Sequence, residues 1–311
     1  QDVRVSGSIG ISHRRGGESA EDLLRDADIA MYEAKNTGKG RVEVFDPIMR
    51  TRAALRSRLQ QELARAVDHG EIEAHFQPII DLQTLRPVTM EALARWRRED
   101  GRLEPTDTFI PIAEESGVIA DIGRVVLRAA CHAGRRWRRL PGHGELTVAV
   151  NVSVQQVLSG RLLHDVRAAL QDSGLPPTAL ILEITESAAM DESEHLVAEL
   201  AELQAAGVRI AVDDFGAGYS SLHCLMSVPA DILKIDRTLL DFDTVRRGSL
   251  VTAVAELGRT LGLVVVVEGV ETPEHLARAR EASCNAAQGF HFSRPLPAPD
   301  VPAYLTGWPV P

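Results

Sequence analysis

Hydrophobic residues in this chain fall into short runs that are separated by more polar segments. Eight of these runs predict β-strands, because each is short, rich in aliphatic residues and bounded by turn-forming or charged positions. The predicted strands cover residues 73–80, 87–95, 146–153, 180–186, 208–214, 231–236, 263–269 and 286–292. From the third strand onward, segments long enough for a helix separate them. This alternation predicts a parallel sheet with helices outside it.

The number and spacing of these strands predict a closed barrel. Eight strands in about 240 residues match the size of a (β/α)8 barrel. The first two strands are an exception, because the segment between residues 80 and 87 is too short for a crossover helix, so these strands should pair antiparallel. We therefore predict an α/β fold, a TIM-like (β/α)8 barrel with one antiparallel strand, over residues 71–305.

The residues outside the predicted barrel form three smaller segments. Residues 1–46 are a short α+β piece, too small for an independent core. Its predicted elements are a strand within Val3–Ser12, a helix over Glu21–Asn36 and a strand over Arg41–Phe45. Residues 47–70 are predicted to form a connecting helix, because leucines recur there every four residues. Residues 306–311 remain as a C-terminal tail.

Composition and charge narrow the range of functions. With 34 Lys and Arg against 44 Asp and Glu, the net charge is −10, which disfavours DNA, RNA and anionic membranes as partners. The three cysteines, Cys131, Cys224 and Cys284, lack the spacing of a disulfide framework or a zinc site and favour a cytoplasmic location. The longest strongly apolar run, Leu261–Val267, is too short to span a bilayer. Because the chain begins with Gln1 and not with Met, we expect a longer protein, in which an upstream sensory or membrane segment could tether it to the inner membrane.

Polar residues stand at the ends of the predicted strands. The set comprises Glu91, Asn151, Glu183, Asp213, Asp214, Lys234, Asp236 and Glu268. From Asn151, the steps to Glu183, Asp213, Asp236 and Glu268 are 32, 30, 23 and 32 residues, close to the length of one strand–helix unit in a barrel of about 250 residues. Each residue alone is most simply explained as a cap of the following helix. Together, however, their carboxylates would converge on one mouth and repel each other strongly unless cations neutralised them.

An acidic mouth without histidine predicts a site for Mg²⁺ or Mn²⁺, since these ions prefer oxygen ligands. Two such ions bridged by an aspartate are a common device for hydrolysing phosphodiesters. The adjacent residues Asp213 and Asp214 are natural candidates to contact both ions. The same ions would allow an acidic mouth to hold an anionic substrate.

Several short motifs surround these residues. They are Phe76–Ile79, Glu91–Trp96, Asn151–Ser153, Leu182–Ser187, Asp213–Ser221, Leu233–Arg237, Glu268–Glu271, Gln288–Phe290 and Ser293–Pro295. In this order the motifs resemble those of the EAL-domain cyclic-di-GMP phosphodiesterases, over about residues 58–305. The resemblance implies metal-dependent hydrolysis of one phosphodiester bond of cyclic-di-GMP to linear pGpG, which lowers the level of this bacterial second messenger. It also implies two Mg²⁺ or Mn²⁺ ions as cofactors and a homodimer.

The resemblance further implies a role for each matching residue. Glu91, Asn151, Glu183 and Asp213 match the ligands of a first metal ion, and Asp213, Asp214 and Asp236 match those around a second. Glu268 matches the proposed general base, and Lys234 matches the lysine that contacts the attacking water or the developing charge. Gln77, Arg95, Glu271 and Gln288 match positions that contact the substrate. Glu186 matches a glutamate that steadies the loop of residues 213–221, which in the family also helps to form the dimer face.

The amino-terminal piece carries a second resemblance. Val5–Ser12 and Ala27–Lys35 resemble the C-terminal part of a GGDEF (diguanylate cyclase) domain. The signature Gly-Gly-Asp-Glu-Phe loop is absent from the sequence, so we expect no cyclase activity from these residues.

Three functions compete at this point. The first is an active phosphodiesterase. The second is a catalytically silent cyclic-di-GMP receptor module, which usually lacks some ligands, whereas none is missing here. The third is an unrelated metal-dependent barrel of the aldolase or enolase type, which does not explain the motif that begins at Asp213.

Only three of the 34 basic residues are lysine, and Lys234 is the single lysine after residue 39. A compact ammonium can approach a water or phosphate oxygen where a guanidinium does not fit, so Lys234→Arg should keep the fold and lower turnover.

Overall fold

In a computed structural model, the chain divides into two compact units, residues 1–65 and residues 66–311. The structure describes residues 6–36, 40–189, 194–217, 225, 227–240 and 245–308. Cys224 and residues 218–221 of the predicted metal loop therefore lie outside the described residues. Of the helices that the structure describes, none is both long enough and apolar enough to cross a membrane.

The amino-terminal unit is a small strand–helix–strand arrangement. Its elements are β1 (Ile9–Ile11), α1 (Ala20–Asn36) and β2 (Val42–Val44), followed by the long helix α2 (Pro47–Asp68). The strands β1 and β2 pair in parallel. The helix α1 packs closely on β1, since a Cβ atom added to Gly10 would lie 2.0 Å from the carbonyl oxygen of Ala27. The strand β1 lies within the predicted range Val3–Ser12, of which residues 3–5 lie outside the described residues.

The second unit contains a sheet that closes on itself. Its strands are β3 (Ile72–Asp81), β4 (Pro87–Arg97), β5 (Leu103–Glu104), β6 (Thr147–Val152), β7 (Leu180–Thr185), β8 (Arg209–Phe215), β9 (Ile232–Ile235), β10 (Val264–Val267), β11 (Ala286–Gln288) and β12 (Leu296–Pro297). Among the described residues, eight of them form the barrel, and β5 and β12 are short additions at β4 and β3. The predicted TIM-like barrel is confirmed.

One strand of the barrel runs against the others, as predicted, and it is β3. This strand pairs antiparallel with both β4 and β11, whereas the pairings from β4 through β6 to β11 are parallel. A tight turn explains the reversal. The Asp81 carboxylate accepts hydrogen bonds from the backbone N–H groups of Gln83 and Thr84, and Leu85 adopts a left-handed conformation with φ of 55°. The chain therefore returns beside β3 without a crossover helix.

Helices connect the parallel strands, and one further helix follows the last strand. They are α3 (Thr106–Ser116), α4 (Ile119–Trp137), α5 (Val154–Leu158), α6 (Leu162–Ser173), α7 (Glu186–Ala189), α8 (Glu194–Ala205), α9 (Val245–Thr260), α10 (Pro273–Glu281) and α11 (Val301–Gly307). The start of α5 shows how the chain turns at the end of a strand. Ser153 and Gln156 form a capping box, so the helix begins directly after β6.

The last predicted barrel strand is wrong in its length. The apolar run over residues 286–292 predicted a strand, but β11 ends at Gln288. After this residue the chain passes Val270 so closely that a Cβ atom on Gly289 would lie 2.0 Å from the Val270 carbonyl oxygen. The backbone N–H of His291 also donates to that oxygen, at 3.0 Å. This contact turns the chain across the mouth of the barrel.

Candidate metal centre and active site

Each barrel strand contributes one side chain to a polar layer at the mouth. This layer consists of Gln77, Glu91, Asn151, Glu183, Asp213, Lys234, Glu268 and Gln288, one from each of the eight strands or from the residue after it. A layer below it contains the buried apolar residues Ile79, Ala149, Ile181, Ala211, Ile232, Val266 and Ala286, together with Thr89. Corresponding members are two residues apart, so they face the same side of the sheet. In β3 the order is reversed, because this strand runs the other way.

Lys234 lies at the centre of the polar layer, with 1% of its surface exposed. Its Nζ is 2.6 Å from Glu268 Oε1, 2.9 Å from Glu183 Oε2 and 3.1 Å from Asp213 Oδ2, and it lies 3.9 Å from Glu91 Oε1. Burial acts to lower the pKa of Lys234, but these carboxylates together outweigh it and raise the pKa well above its usual value. The ammonium therefore stays charged and holds the acidic groups together.

Within this layer, one ammonium faces more negative charge than it can neutralise. Burial, reinforced by the neighbouring Glu91 carboxylate, raises the pKa of Glu183 well above its ordinary value. Burial also raises the pKa of Glu268 to about 8, against the opposing effect of Lys234. Glu91 behaves differently: burial acts to raise its pKa, but Lys234 and the amide groups of Gln288 and Asn151 help to bring it below the usual value. These amides donate to Glu91 at 2.5 and 2.7 Å.

An irregularity in β8 brings two consecutive carboxylates to the mouth. Neighbouring residues of a regular strand face opposite sides of the sheet. Here the pairing of β8 with β9 shifts register between Val212 and Phe215, and Asp214 adopts a left-handed φ of 57°. The two carboxylates, together with Glu268, therefore offer oxygens that lie within 4.8 Å of one another. Burial and the nearby Asp213 raise the pKa of Asp214.

The donor set fits a hard divalent cation. The carboxylates form two groups, and within each group the ligand oxygens lie within 4.8 Å of one another. The first group is Glu91, Glu183 and Asp213, and the second is Asp213, Asp214 and Glu268. Asp213 belongs to both groups. The buried Oε2 of Glu183, although close to the ammonium, has no hydrogen-bond partner with regular geometry among the described residues. Clustered carboxylate oxygens of this kind suit Mg²⁺ or Mn²⁺, so this acidic cluster could bind metal.

The cleft above this cluster has a volume of about 350 Å³. Of the predicted site residues, it is lined by Gln77, Glu91, Asn151, Asp213, Asp214, Glu268, Glu271 and Gln288. The two glutamines are linked to each other, because Gln288 Nε2 lies 3.2 Å from Gln77 Oε1. The amide of Gln77 also donates to the Ser293 carbonyl oxygen at 3.0 Å. The strand β3 and the segment after β11 are thereby joined at one side of the cleft.

Three predicted residues belong neither to the polar layer nor to the described lining of the cleft. Asp236 belongs to neither group; its side chain accepts from the backbone N–H of Thr238 at 2.9 Å and caps a short 3₁₀ turn. Arg95 is not among the described residues that line the cleft, and its guanidinium donates to the Ala94 carbonyl oxygen at 2.7 Å. Burial lowers the pKa of Arg95. Glu186 is buried at the start of α7.

The cleft also contains residues that the sequence analysis assigned no role. Arg237 and Phe290 are part of its lining, and Phe290 is 47% exposed. Each directly follows or lies near a predicted site residue, within the motifs Leu233–Arg237 and Gln288–Phe290. Their place in these motifs was the available signal, but nothing in the sequence shows that the side chain of Arg237 turns toward the cleft.

Comparison with known proteins identifies the families to which the two parts of the chain are similar. Residues 60–295 match the family model of the EAL domain, and residues 1–41 match that of the diguanylate cyclase, GGDEF domain. The chain is 39% identical over 303 residues to the bifunctional diguanylate cyclase/cyclic di-GMP phosphodiesterase MucR of Pseudomonas aeruginosa, covering 96% of this chain and 44% of that protein. It is 37% identical over 307 residues to the cyclic di-GMP phosphodiesterase NbdA of the same organism, covering 98% of this chain and 39% of NbdA. The chain thus spans less than half the length of these relatives.

A solved structure supports the same relationship. The structure of the PaMucR phosphodiesterase in complex with c-di-GMP superposes with a TM-score of 0.74 at 39% sequence identity. The match covers 78% of this chain and 99% of that one. Because the EAL model covers most of the chain and the fold agrees, this protein belongs to the EAL domain family and carries part of a GGDEF domain at its amino terminus.

Proposed function

We propose that this chain hydrolyses one phosphodiester bond of cyclic-di-GMP and releases linear pGpG. The observation that carries the proposal is the polar layer at the barrel mouth, in which four of the carboxylates expected of a phosphodiesterase of this family, those of Glu91, Glu183, Asp213 and Glu268, converge around Lys234. The relationship to MucR and NbdA, which are cyclic di-GMP phosphodiesterases by name, supports the choice of substrate.

In this proposal, two Mg²⁺ or Mn²⁺ ions are the cofactors. Glu91, Asn151, Glu183 and Asp213 would hold the first ion, and Asp213, Asp214 and Asp236 would hold the second. When bound, such ions activate water for attack and neutralise charge on the phosphate. Asn151 would have to turn its carbonyl oxygen toward the ion, because its Nδ2 now donates to Glu91. Asp236 would have to release or share its contact with Thr238.

The proposed reaction forms a bond between the water oxygen and phosphorus and breaks the bond from phosphorus to the 3′ oxygen. Glu268 accepts the proton of the attacking water, and solvent water supplies the proton that the departing 3′ oxygen takes up. Burial raises the pKa of Glu268 in the metal-free protein, and bound cations would favour its ionised form, which is the form that can accept a proton. Lys234, 2.6 Å from Glu268, would hold that carboxylate in position and oppose the negative charge that develops on the phosphate.

Substrate contacts complete the proposal. Gln77, Glu271 and Gln288 line the cleft and can donate to or accept from the dinucleotide. Arg95, which lies outside the described lining, would contact it at the outer edge. We also propose a homodimer that works in the cytoplasm, with Glu186 supporting the loop of residues 213–221 near the dimer face. An upstream segment of a longer protein would supply any attachment to the inner membrane.

The test is an incubation of the purified chain with cyclic-di-GMP and Mg²⁺, followed by chromatography of the nucleotides. We expect pGpG to accumulate, Glu268→Ala to abolish it, and a chelator to stop it. Glu256→Ala, which removes an exposed carboxylate from α9, is the matched control and should retain activity. Binding of cyclic-di-GMP without any turnover would favour the silent receptor. Absence of both binding and turnover would overturn both functions.

A further inference from the structure

The cleft contains a cation that the proposed chemistry does not use. Arg237 is the only arginine among the described residues that line it, and its side chain is 64% exposed. Around it the lining is strongly acidic, with Glu91, Asp213, Asp214, Glu268 and Glu271. An arginine that remains at the mouth of an acidic cleft is well placed to meet an electron-rich group of the ligand.

The stem of Arg237 is held against the backbone of the neighbouring loop. A Cβ atom added to Gly269 would lie 2.2 Å from the Cβ of Arg237 and 3.1 Å from its Cδ. Gly269 also has a left-handed φ of 65°. This glycine therefore leaves room for the stem of Arg237, while the guanidinium itself stays accessible. Fixing the stem reduces the side-chain entropy that binding would otherwise cost.

The guanidinium is accompanied by a carboxylate. Arg237 Nη1 lies 3.9 Å from Glu271 Oε1, and the Glu271 side chain is 47% exposed. The separation is too long for a hydrogen bond, so both groups keep most of their hydrogen-bonding capacity. Side by side they present N–H donors next to carboxylate acceptors at the rim of the cleft.

This pattern is complementary to guanine. Guanine presents the acceptors O6 and N7 next to N–H donors, and arginine commonly binds O6 and N7 with two hydrogen bonds. Adenine has an amino group in place of O6, which would place a donor against the guanidinium. We propose that Arg237, paired with Glu271, reads one guanine base of the substrate and thereby makes the cleft selective for guanine over adenine. This inference rests on the proposed function, which identifies cyclic-di-GMP as the ligand.

The test compares two ligands that share the same cyclic ribose–phosphate ring. Affinities for cyclic-di-GMP and cyclic-di-AMP are measured by calorimetry in the Glu268→Ala background, with and without Arg237→Ala. We expect Arg237→Ala to weaken cyclic-di-GMP binding by about 10- to 100-fold, the range for loss of a two-bond arginine–guanine contact. Cyclic-di-AMP binding should change by a much smaller factor, because adenine offers only N7 as an acceptor to the guanidinium. Arg237→Lys should recover part of the loss, because it restores one donor.

Arg280→Ala is the matched control, since it removes an exposed arginine at the end of α10 outside the cleft lining. An equal loss for both nucleotides would assign Arg237 to a phosphate and overturn the inference, and so would an unchanged affinity for cyclic-di-GMP. Because binding is measured without turnover, failure of the proposed hydrolysis remains distinguishable: a protein that selects guanine but produces no pGpG keeps this inference and loses only the catalytic proposal.

Discussion

Two layers of the same barrel differ sharply in what they contribute. The lower layer consists of aliphatic side chains such as Ile181 and Ile232, together with Thr89, whose hydroxyl lies 2.7 Å from the hydroxyl of Thr147. Two residues further toward the mouth, Glu183 and Lys234 belong to a layer of buried charges. The same eight strands contribute to both layers, from positions that are two residues apart along each strand. The lower layer therefore supplies the rigid support on which an electrostatically unfavourable site can be held.

The energetic contrast has a simple origin. Burying one large aliphatic side chain stabilises a fold by about 1.5–3 kcal/mol. Burying charge costs free energy unless each group is paired, and in the upper layer Lys234 faces Glu91, Glu183, Asp213 and Glu268. The lower layer should thus determine stability and the upper layer activity, and substitutions in each layer can separate the two effects.

The largest effect is expected from Lys234→Arg. The Nζ of Lys234 lies within 3.1 Å of oxygens from three carboxylates, an arrangement that a compact ammonium can serve and a planar guanidinium cannot. We expect the charge to remain and the fold to survive, while kcat falls by about 100-fold or more, as when one transition-state donor is lost. Steady-state kinetics measures the fall in kcat, and a thermal melt shows whether the fold survives.

Arg259→Lys, an exposed exchange near the end of α9, serves as the control and should leave kcat unchanged. If Lys234→Arg retained near-normal turnover, the single lysine of the barrel would be an accident of composition. If the variant failed to fold, Lys234 would belong with the residues that determine stability, and the contrast between the layers would be lost.

The opposite result is expected in the lower layer. Ile181 is 3% exposed and packs in the apolar cluster beneath Glu183. Ile181→Ala removes three carbon atoms and leaves a cavity, which should lower the free energy of unfolding by about 2–5 kcal/mol. Well below the melting temperature, kcat should stay within about 3-fold of the parent, since no charged group moves. Urea unfolding measures the first quantity, and a large loss of kcat with unchanged stability would contradict the comparison.

The sequence was sufficient to predict most of this architecture. Alternating apolar runs located the eight barrel strands, and the short segment before Pro87 identified an antiparallel pair. The local hydrophobic pattern gave a wrong strand length where a tertiary contact ends the strand. The apolar run after Gln288 was extended as a strand, but the close approach of Gly289 to the Val270 carbonyl oxygen turns the chain there.

The site shows the same limit. Polar residues at the ends of apolar runs identified six members of the mouth layer, and the resemblance of motifs added Gln77 and Gln288. The left-handed conformation of Asp214, which lets both aspartates reach the mouth, depends on the register of β8 against β9. Likewise, Arg237 lines the cleft whereas Arg95 is absent from its described lining. Side-chain direction at a rim is set by neighbouring loops and cannot be predicted from spacing.

The smallest effect concerns divalent ions and pH. The pKa of Glu268 is raised to about 8 and that of Glu183 is raised well above its usual value of 4.5. Between the unfolded and folded pKa values the folded state binds more protons, so these groups make the metal-free protein less stable as the pH rises through that window. Mg²⁺ binds the folded state selectively and competes with those protons. At 100 times its dissociation constant it should add about 2.7 kcal/mol.

We therefore expect Mg²⁺ to raise the melting temperature by about 5 °C at pH 8 and by less at pH 6, measured against a chelator at each pH. Glu183→Gln should make the melting temperature of the metal-free protein fall less as the pH rises, because it removes a buried carboxyl group whose ionisation burial disfavours, and it should reduce the shift caused by Mg²⁺. Glu256→Gln, at an exposed position on α9, should alter neither. A Mg²⁺ shift that is the same in Glu183→Gln, or larger at pH 6, would mean that the ions act away from the mouth. The upper layer would then be held by Lys234 alone, and its excess of negative charge would need another explanation.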